Sequence, residues 1–385
     1  PVQMVTGLSI QTGRSRLKTV LVFLQFGVII FLFSVLSVLV FQTRYMKQAD
    51  YGFDRDNLLI FYEPTRNIRL DFIPLSKDIS SLPGVTSVTA SMGIPGEMPV
   101  VQNVWTDQDV EENAILITEA RVRHNYPETY RFQLMEGEFF SGKSMNDTGN
   151  FILNETACRA LGLSNPVGSV INVSDHRDTI IGVVKDFHFR PLHDRIEPLV
   201  ISRYHSWYRH ITIRTDPDEP GNVSHEIDSL LDIHLPEYEL IYYPLGKLHE
   251  QMYLDEDKQA MLYSGGALLA IIIGIFGLFA LTTYTTVKRT KEIGIRKALG
   301  GSPTKIFLLL GGSIMKWILI AGLIAAPLAW FAVNEWLQGF YYHIEHAWLL
   351  ICLSILLATG IALLTISYHI IKFTRVNPAD SLRYE

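Results

Sequence analysis

Cysteine is nearly absent. The chain of 385 residues holds only Cys158 and Cys352. One falls in a polar region and the other inside an apolar run, so neither a disulfide framework nor a thiolate metal site is expected. Charge is missing from long stretches. Val20–Phe41 is 22 residues without Asp, Glu, Lys or Arg, and Gln259–Val287 is 29. The first 18 positions hold no acid, and Gln338–His346 holds Glu345 but no Lys or Arg. No basic stripe runs along a soluble region, so nucleic acid is not an expected partner. No signal-peptide cleavage pattern precedes the first apolar run.

What is present is strongly segregated. The overall composition, 48% hydrophobic and 19% charged, averages two kinds of chain. Val20–Phe41 is long enough, at about 1.5 Å per residue, to cross a hydrocarbon layer of about 30 Å. Residues 42–258 read as an extramembranous domain. Three further apolar stretches follow. The expected fold class is a membrane protein of four transmembrane α-helices, with a large α+β domain inserted between helix 1 and helix 2. The expected divisions are an inner segment 1–19, span 20–41, domain 42–258 (with room for two subdomains), span 259–287 with a stalk, inner segment 288–305, span 306–336, outer loop 337–346, span 347–371 and inner tail 372–385. Lys and Arg concentrate in 1–19, 288–305 and 372–385, which predicts both termini inside and the large domain outside, in the periplasm of a Gram-negative cell.

Within 42–258, short apolar runs alternate with helical patterns. Leu58–Tyr62, Val85–Ser91, Ala114–Val122, Asn150–Leu153, Leu199–Ile201, His210–Ile213 and Glu239–Tyr243 read as strands. Ser169–Val173 and Thr179–Val184 read as a hairpin around the turn 174–178. Asp71–Ser81, Tyr126–Phe132, Glu155–Leu161 and Val223–His234 read as helices. Arg44–Asp50 continues the first span outward until Tyr51-Gly52-Phe53-Asp54 breaks it. Leu245–Lys258, joined to the over-long run that follows, reads as one helix leaving the membrane and rising into the domain.

Three motifs invite a sharper reading. Gly137-Glu-Phe-Phe-Ser-Gly142-Lys143-Ser144 matches G-x-x-x-x-G-K-S. A phosphate loop needs a buried strand before it and a helix after it. The residues that follow read as a loop, and the segment is predicted to lie outside the cell. Asp186-Phe-His188-Phe-Arg-Pro-Leu-His193-Asp194 brings two histidines near two aspartates, but its spacing fits no common zinc pattern, and a solvated loop is expected. Lys316 interrupts the third apolar run and is expected to snorkel to the interface, not to line a transport path. Asn146, Asn154, Asn172 and Asn222 head Asn-x-Ser/Thr sequons, which would matter only on a eukaryotic secretory route.

The densest chemistry is at 287–305. Lys288, Arg289, Lys291, Arg296, Lys297 and Lys305 accompany one acid, Glu292. Ile293, Ile295, Ala298 and Leu299 supply apolar contacts, and Gly300-Gly301-Ser302-Pro303 stops the helix. Such a segment anchors to anionic lipid, and it also offers a short amphipathic helix as a docking knob.

The run Arg289-Thr-Lys-Glu-Ile-Gly-Ile-Arg-Lys-Ala-Leu-Gly-Gly-Ser302 resembles the signature of FtsX/MacB-type ABC transporter permeases. So does Asn377-Pro-Ala-Asp-Ser-Leu-Arg-Tyr-Glu385. Ile152-Leu-Asn-Glu-Thr and Ile180-Ile-Gly-Val-Val-Lys-Asp-Phe-His188 resemble the family's periplasmic core domain as found in Bacteroidetes. The resemblance implies a non-catalytic permease subunit in the inner membrane. It implies a separate cytoplasmic ABC ATPase as partner, which carries the ATP and magnesium, so no cofactor is expected in this chain. A second permease unit (a homodimer or a tandem half), the lipid bilayer and a periplasmic adaptor are the other implied partners. The coupling helix falls at Lys291, Glu292, Ile293, Ile295, Arg296, Lys297 and Leu299, which are expected to bind the ATPase. The implied activity is mechanotransmission, in which nucleotide-driven closure moves the outer domain and exports or extracts an envelope substrate. Opening on Pro1, the chain is expected to be the second unit of a tandem permease. The rival reading is a membrane-anchored module that regulates an envelope enzyme or a sensor kinase.

Overall fold

The computed structural model describes residues 2–62, 72–98, 100–123, 125–140, 150–203, 208–217, 223–234, 242–288, 292 and 303–374. They form two compact units, one of residues 47–254 and one of 1–46 with 255–385.

The outer unit is built on a single mixed sheet. Its strands are β1 (Leu58–Tyr62), β2 (Val85–Ser91), β3 (Val101–Thr106), β4 (Ile115–Val122), β5 (Leu134–Gly137), β6 (Phe151–Asn154), β7 (Val170–Val173), β8 (His176–Val184), β9 (Leu199–Arg203), β10 (His210–Thr215) and β11 (Tyr242–Pro244). The order is β11-β1-β10-β2-β4-β3-β7-β8-β6-β9, with β5 pairing β8. β9 also pairs in parallel with β4, from Thr118↔Leu199 to Val122↔Arg203. The path β4-β3-β7-β8-β6-β9 therefore closes into a ring, while β11-β1-β10-β2 extends from it as an antiparallel arm.

Each part has its own apolar core, because alternate residues of a strand face the same side. On the arm, Phe61, Val88, Ala90, Ile211 and Ile213 pack under α2 (Phe72–Ser80) and α5 (Val223–His234). In the ring, Val104, Ile117, Leu153, Ile171, Ile180 and Val200 share a core with Ala157 and Cys158 of α4 (Glu155–Ala160). Asn154 organises this end: its Oδ1 accepts from Ala157 N and Leu199 N, and its Nδ2 donates to the Glu197 carbonyl, each at 2.9 Å. It caps α4 and is fully buried, so the sequon it heads is closed to modification.

Among the described residues, the other α-helices are α3 (Tyr126–Thr129) and α6 (Leu245–Gln251) in this unit, with α1 (Val2–Gln48), α7 (Leu254–Lys288), α8 (Pro303–Leu337) and α9 (Ala347–Thr374) as the long ones. Two departures from the sequence reading have clear causes. The hairpin of β7 and β8 turns on Ser174 and Asp175 alone, with Val173 paired to His176, because Ser174 accepts a positive φ of 50°. The strands β3 and β5 are not legible in the sequence, because Gln102, Asn103 and Glu136 hide the apolar alternation.

Among the described residues of the membrane unit, four helices are long and apolar enough to span a bilayer, at Val20–Gln48, Leu254–Lys288, Ile314–Leu337 and Ala347–Tyr368. Phe26 and Ile30 of α1, Leu278 of α7, Ile318 and Ala321 of α8, and Ala358 and Ala362 of α9 form its core. A side chain on Gly274 would strike Ile29, and one on Gly277 would strike Gln25, so these glycines set the approach of α7 to α1. Gln42, fully buried, donates to the Tyr342 carbonyl and accepts from Ile344 N, each at 2.9 Å. It ties α1 to the loop between α8 and α9. Pro327 lies inside α8.

Candidate functional site

The chain enters the outer unit after α1 and leaves it before α7. Both crossings are fixed by side chains of that unit. At the first, Gly52 carries φ +81°, and a side chain there would press on Phe187. Asp54 N donates to the Tyr130 carbonyl, and His188 N donates to the Tyr51 carbonyl. Arg214 reaches up from β10: its Nη1 donates to Asp54 Oδ2 at 3.0 Å, its Nη2 to the Asp54 carbonyl at 2.7 Å and its Nε to the Thr129 carbonyl. Arg131 binds the same carboxylate oxygen at 2.7 Å.

At the second crossing, α6 buries Leu245 and His249. His249 stacks on Tyr51 with ring centroids 5.0 Å apart, and its Nε2 lies 2.8 Å from the Pro95 carbonyl. A carbonyl only accepts, so Nε2 carries the proton and Nδ1 is a bare acceptor, with no partner among the described residues. Burial pushes the His249 pKa down to about 4, and the nearby Arg55 guanidinium acts in the same direction; the bond to Pro95 opposes them. Tyr253 is fully buried. Its hydroxyl lies 2.9 Å from the Tyr51 hydroxyl and accepts from Leu192 N at 3.2 Å. Burial, then the Tyr253 hydroxyl, raises the Tyr51 pKa well above its ordinary value. The two crossings, far apart in sequence, thus meet at one node of Tyr51, His249 and Tyr253.

This node leaves little trace in the sequence, since Tyr51 and Tyr253 are 202 positions apart and look like ordinary interfacial aromatics. The sequence also predicts one unbroken helix from Leu245 into the membrane. The structure corrects this: α6 ends at Gln251, Met252 and Tyr253 form a turn, and α7 begins at Leu254.

The other predicted features are placed as follows. Of Lys291, Glu292, Ile293, Ile295, Arg296, Lys297 and Leu299, only Glu292 is described, with helical backbone; the other six lie outside the described residues. In the phosphate-loop lookalike, 141–144 lies outside them too. The strand before it, β5, is mostly exposed, unlike the buried strand a phosphate loop needs. Gly137 ends that strand at φ +76°, where a side chain would collide with the Ile181 carbonyl of β8, so strand packing explains this glycine. The 186–194 segment is not the solvated loop expected. Phe187, Phe189 and Leu192 are buried in it. Asp186 caps α4 by accepting from Thr156 N at 2.9 Å and Thr156 Oγ1 at 2.7 Å, and it pairs with Arg159 at 2.7 Å. Burial lowers the His188 pKa, with Asp50 and Asp186 opposing. Among the described residues, no group of His, Cys, Asp and Glu is arranged to hold a metal ion. Lys316 is exposed on α8 and does not face the helix core.

Two known families match the chain. The MacB-like periplasmic core domain matches residues 24–230, and the FtsX-like permease C-terminal region matches 265–378. The chain is similar to the macrolide export ATP-binding/permease protein MacB of Bdellovibrio bacteriovorus, at 22% identity over 85% of this chain and 51% of that protein. It is also similar to the protein of the same name from Vibrio parahaemolyticus, at 24% identity over 60% of this chain and 36% of that protein. The chain therefore spans about half, or less, of these relatives. Among solved structures, the periplasmic region of MacB from Actinobacillus actinomycetemcomitans aligns with a TM-score of 0.39 at 16% identity, covering 51% of this chain and 92% of that one. A domain of a permease protein from Porphyromonas gingivalis aligns at 0.36 and 16% identity, covering 51% and 97%. With a core-domain match over more than half its length, an FtsX-like match over its last three helices and four candidate spans around one α+β domain, the chain belongs to the MacB/FtsX-type ABC transporter permeases.

Proposed function

We propose that this chain couples ATP hydrolysis in a partner ATPase to motion of its outer domain, and so exports or extracts a substrate of the cell envelope. The observation that carries the reading is the node at Tyr51, His249 and Tyr253. That node holds the entry and exit ends of the domain's own chain together at one buried point, so a pull passed to either end reaches both.

The inner end of the device is the basic segment 288–305. Lys291, Glu292, Ile293, Ile295, Arg296, Lys297 and Leu299 are the residues proposed to seat on the ATPase, which supplies the nucleotide and magnesium chemistry. Both termini lie inside and the α+β domain outside, by the distribution of Lys and Arg. A second permease unit completes the assembly, and a periplasmic adaptor extends it outward.

The test is ATPase stimulation. The chain with its partner ATPase, reconstituted in lipid, hydrolyses ATP faster than the ATPase alone. Glu292→Lys with Arg296→Glu abolishes that gain while the chain stays folded. Unchanged stimulation in the double variant would sink the proposal.

A further inference from the structure

Within the membrane unit, α1 and α8 leave a groove between them. Its volume is about 240 Å³, and its lining residues are all apolar. Small residues make it deep. Ala321 and Ala325 of α8 are 1% and 4% exposed, and a side chain built on Gly27 of α1 would meet no atom within 4 Å. Large residues stand above them: Leu24 of α1 is 59% exposed and Leu328 of α8 is 60% exposed.

One end of the groove carries interfacial chemistry. Phe23 lines the groove there, and its ring meets that of Trp317 edge to face, with centroids 6.4 Å apart. Trp317 and Lys316 are both exposed, and both lie in the first turn of the span Ile314–Leu337. Tryptophan concentrates at the headgroup level of a bilayer, and a lysine at the end of a span keeps its ammonium in that polar layer. From Lys316 to Ala321 the helix rises about 7.5 Å, so the groove opens a short way beneath the headgroups.

We propose that this groove holds one acyl chain of an anionic phospholipid, with the lipid's phosphate beside the Lys316 ammonium. A helix of a second copy does not fit the slot. Helices in membranes approach closely where small residues lie outermost, and here the small residues lie beneath Leu24 and Leu328. An acyl chain is narrow enough to reach Gly27, Ala321 and Ala325, and there it gains dispersion contacts on both sides. Any lipid tail makes those contacts, so the selection comes from Lys316. One lysine at the membrane surface favours an anionic headgroup over a zwitterionic one by about fivefold. The site stands apart from the coupling reading, since it needs neither the ATPase nor motion of the outer domain.

The experiment uses the full chain in nanodiscs of equal parts phosphatidylglycerol and phosphatidylethanolamine, released into detergent and weighed with its retained lipid by native mass spectrometry. The parent chain should retain phosphatidylglycerol over phosphatidylethanolamine by about fivefold. Lys316→Gln, a change at an exposed position, should bring that ratio to near unity. Gly27→Leu grows into open space in the fold, so it should keep the thermal unfolding midpoint and at least halve the fraction of chains that carry a lipid. Lys258→Gln removes an exposed lysine near the start of α7 and should change neither reading. A parent ratio near unity, an equal loss of selection in Lys258→Gln, or full lipid retention in a folded Gly27→Leu chain would overturn the proposal. The Lys316→Gln comparison stands whether or not Gly27→Leu folds. A second copy in the groove has its own signature, a disulfide-linked dimer of Leu24→Cys in a Cys352→Ser background. Cys158 is buried with its thiol pushed up to about 11, which keeps it out of that chemistry. Leu24→Cys is expected to stay unlinked under oxidation in the membrane, and a linked dimer would overturn the assignment to lipid.

Discussion

Arg214, whose side chain is 4% exposed, is the link between the arm of the sheet and the first crossing of the outer unit, through the carboxylate of Asp54. The pair joins residues 160 positions apart. Burial lowers the Arg214 pKa, and the Asp54 carboxylate opposes that shift. Arg214→Ala removes the cation and also strips donors from the Asp54, Asp56 and Thr129 carbonyls. The expected loss is about 3 kcal/mol of outer-domain stability, read from denaturant unfolding. Asp54→Asn should cost less, because Asp54 is partly exposed and Arg214 keeps its bonds to the Asp54, Asp56 and Thr129 carbonyls.

His249 makes the outer domain sensitive to acid. Its folded pKa of about 4 lies below the ordinary value of 6.5. Above the ordinary value both folded and unfolded chains hold it neutral, and its contribution is intact. As pH falls, the unfolded chain takes the proton first, and stability drops until the folded pKa is passed. The loss approaches about 3 kcal/mol between neutral pH and pH 4. His188, also lowered, acts in the same direction. Unfolding midpoints at pH 7 and pH 5 should show a smaller pH difference for His249→Gln, which keeps a donor toward Pro95. An unchanged difference would contradict the assignment.

Gly137 tests whether the phosphate-loop lookalike is structural. Gly137→Ala places a side chain at φ +76° against the Ile181 carbonyl and should lower outer-domain stability by at least about 1–2 kcal/mol. Lys143→Ala should leave nucleotide binding to the chain unchanged, at background. Saturable nucleotide binding lost on Lys143→Ala would overturn this reading.

Gln42 offers a test in the membrane unit. Gln42→Leu keeps the side chain's bulk but leaves the Ile344 amide and the Tyr342 carbonyl without their side-chain partner. A cost of about 1–3 kcal/mol is expected for the two abandoned groups. The sharper reading is hydrogen exchange, in which the Ile344 amide should exchange faster while amides in the middle of α9 do not.

The four spans, the inserted domain and most of its strands were legible because length and alternation are local properties. Leu58–Tyr62 and Val85–Ser91 appear where apolar periodicity places them. The failures are non-local. β5 escapes a local reading, since Leu134 pairs with Val184 and Gly137 with Gly182, far along the chain in β8. The loop 186–194 looked solvated because His188, Arg190 and Asp194 dominate its composition, while Phe187, Phe189 and Leu192 decide its burial. The break at Met252–Tyr253 carries no Gly or Pro to announce it. It follows from tertiary contacts that hold Tyr253 at the Tyr51 and Leu192 node. The proposed docking segment rests on the sequence alone, in its basic residues and the Gly-Gly-Ser-Pro run that follows them.

The most direct test of the central claim follows the outer domain while ATP is turned over. The chain, the proposed partner ATPase and lipid are assembled with labels at His225→Cys in α5 and Leu268→Cys in α7, in a Cys352→Ser background. Adding ATP should shift the distance distribution between them, and Glu292→Lys with Arg296→Glu should remove the shift while the chain stays folded. A distribution that does not move while ATP is hydrolysed, or one that moves equally in the double variant, would contradict the account.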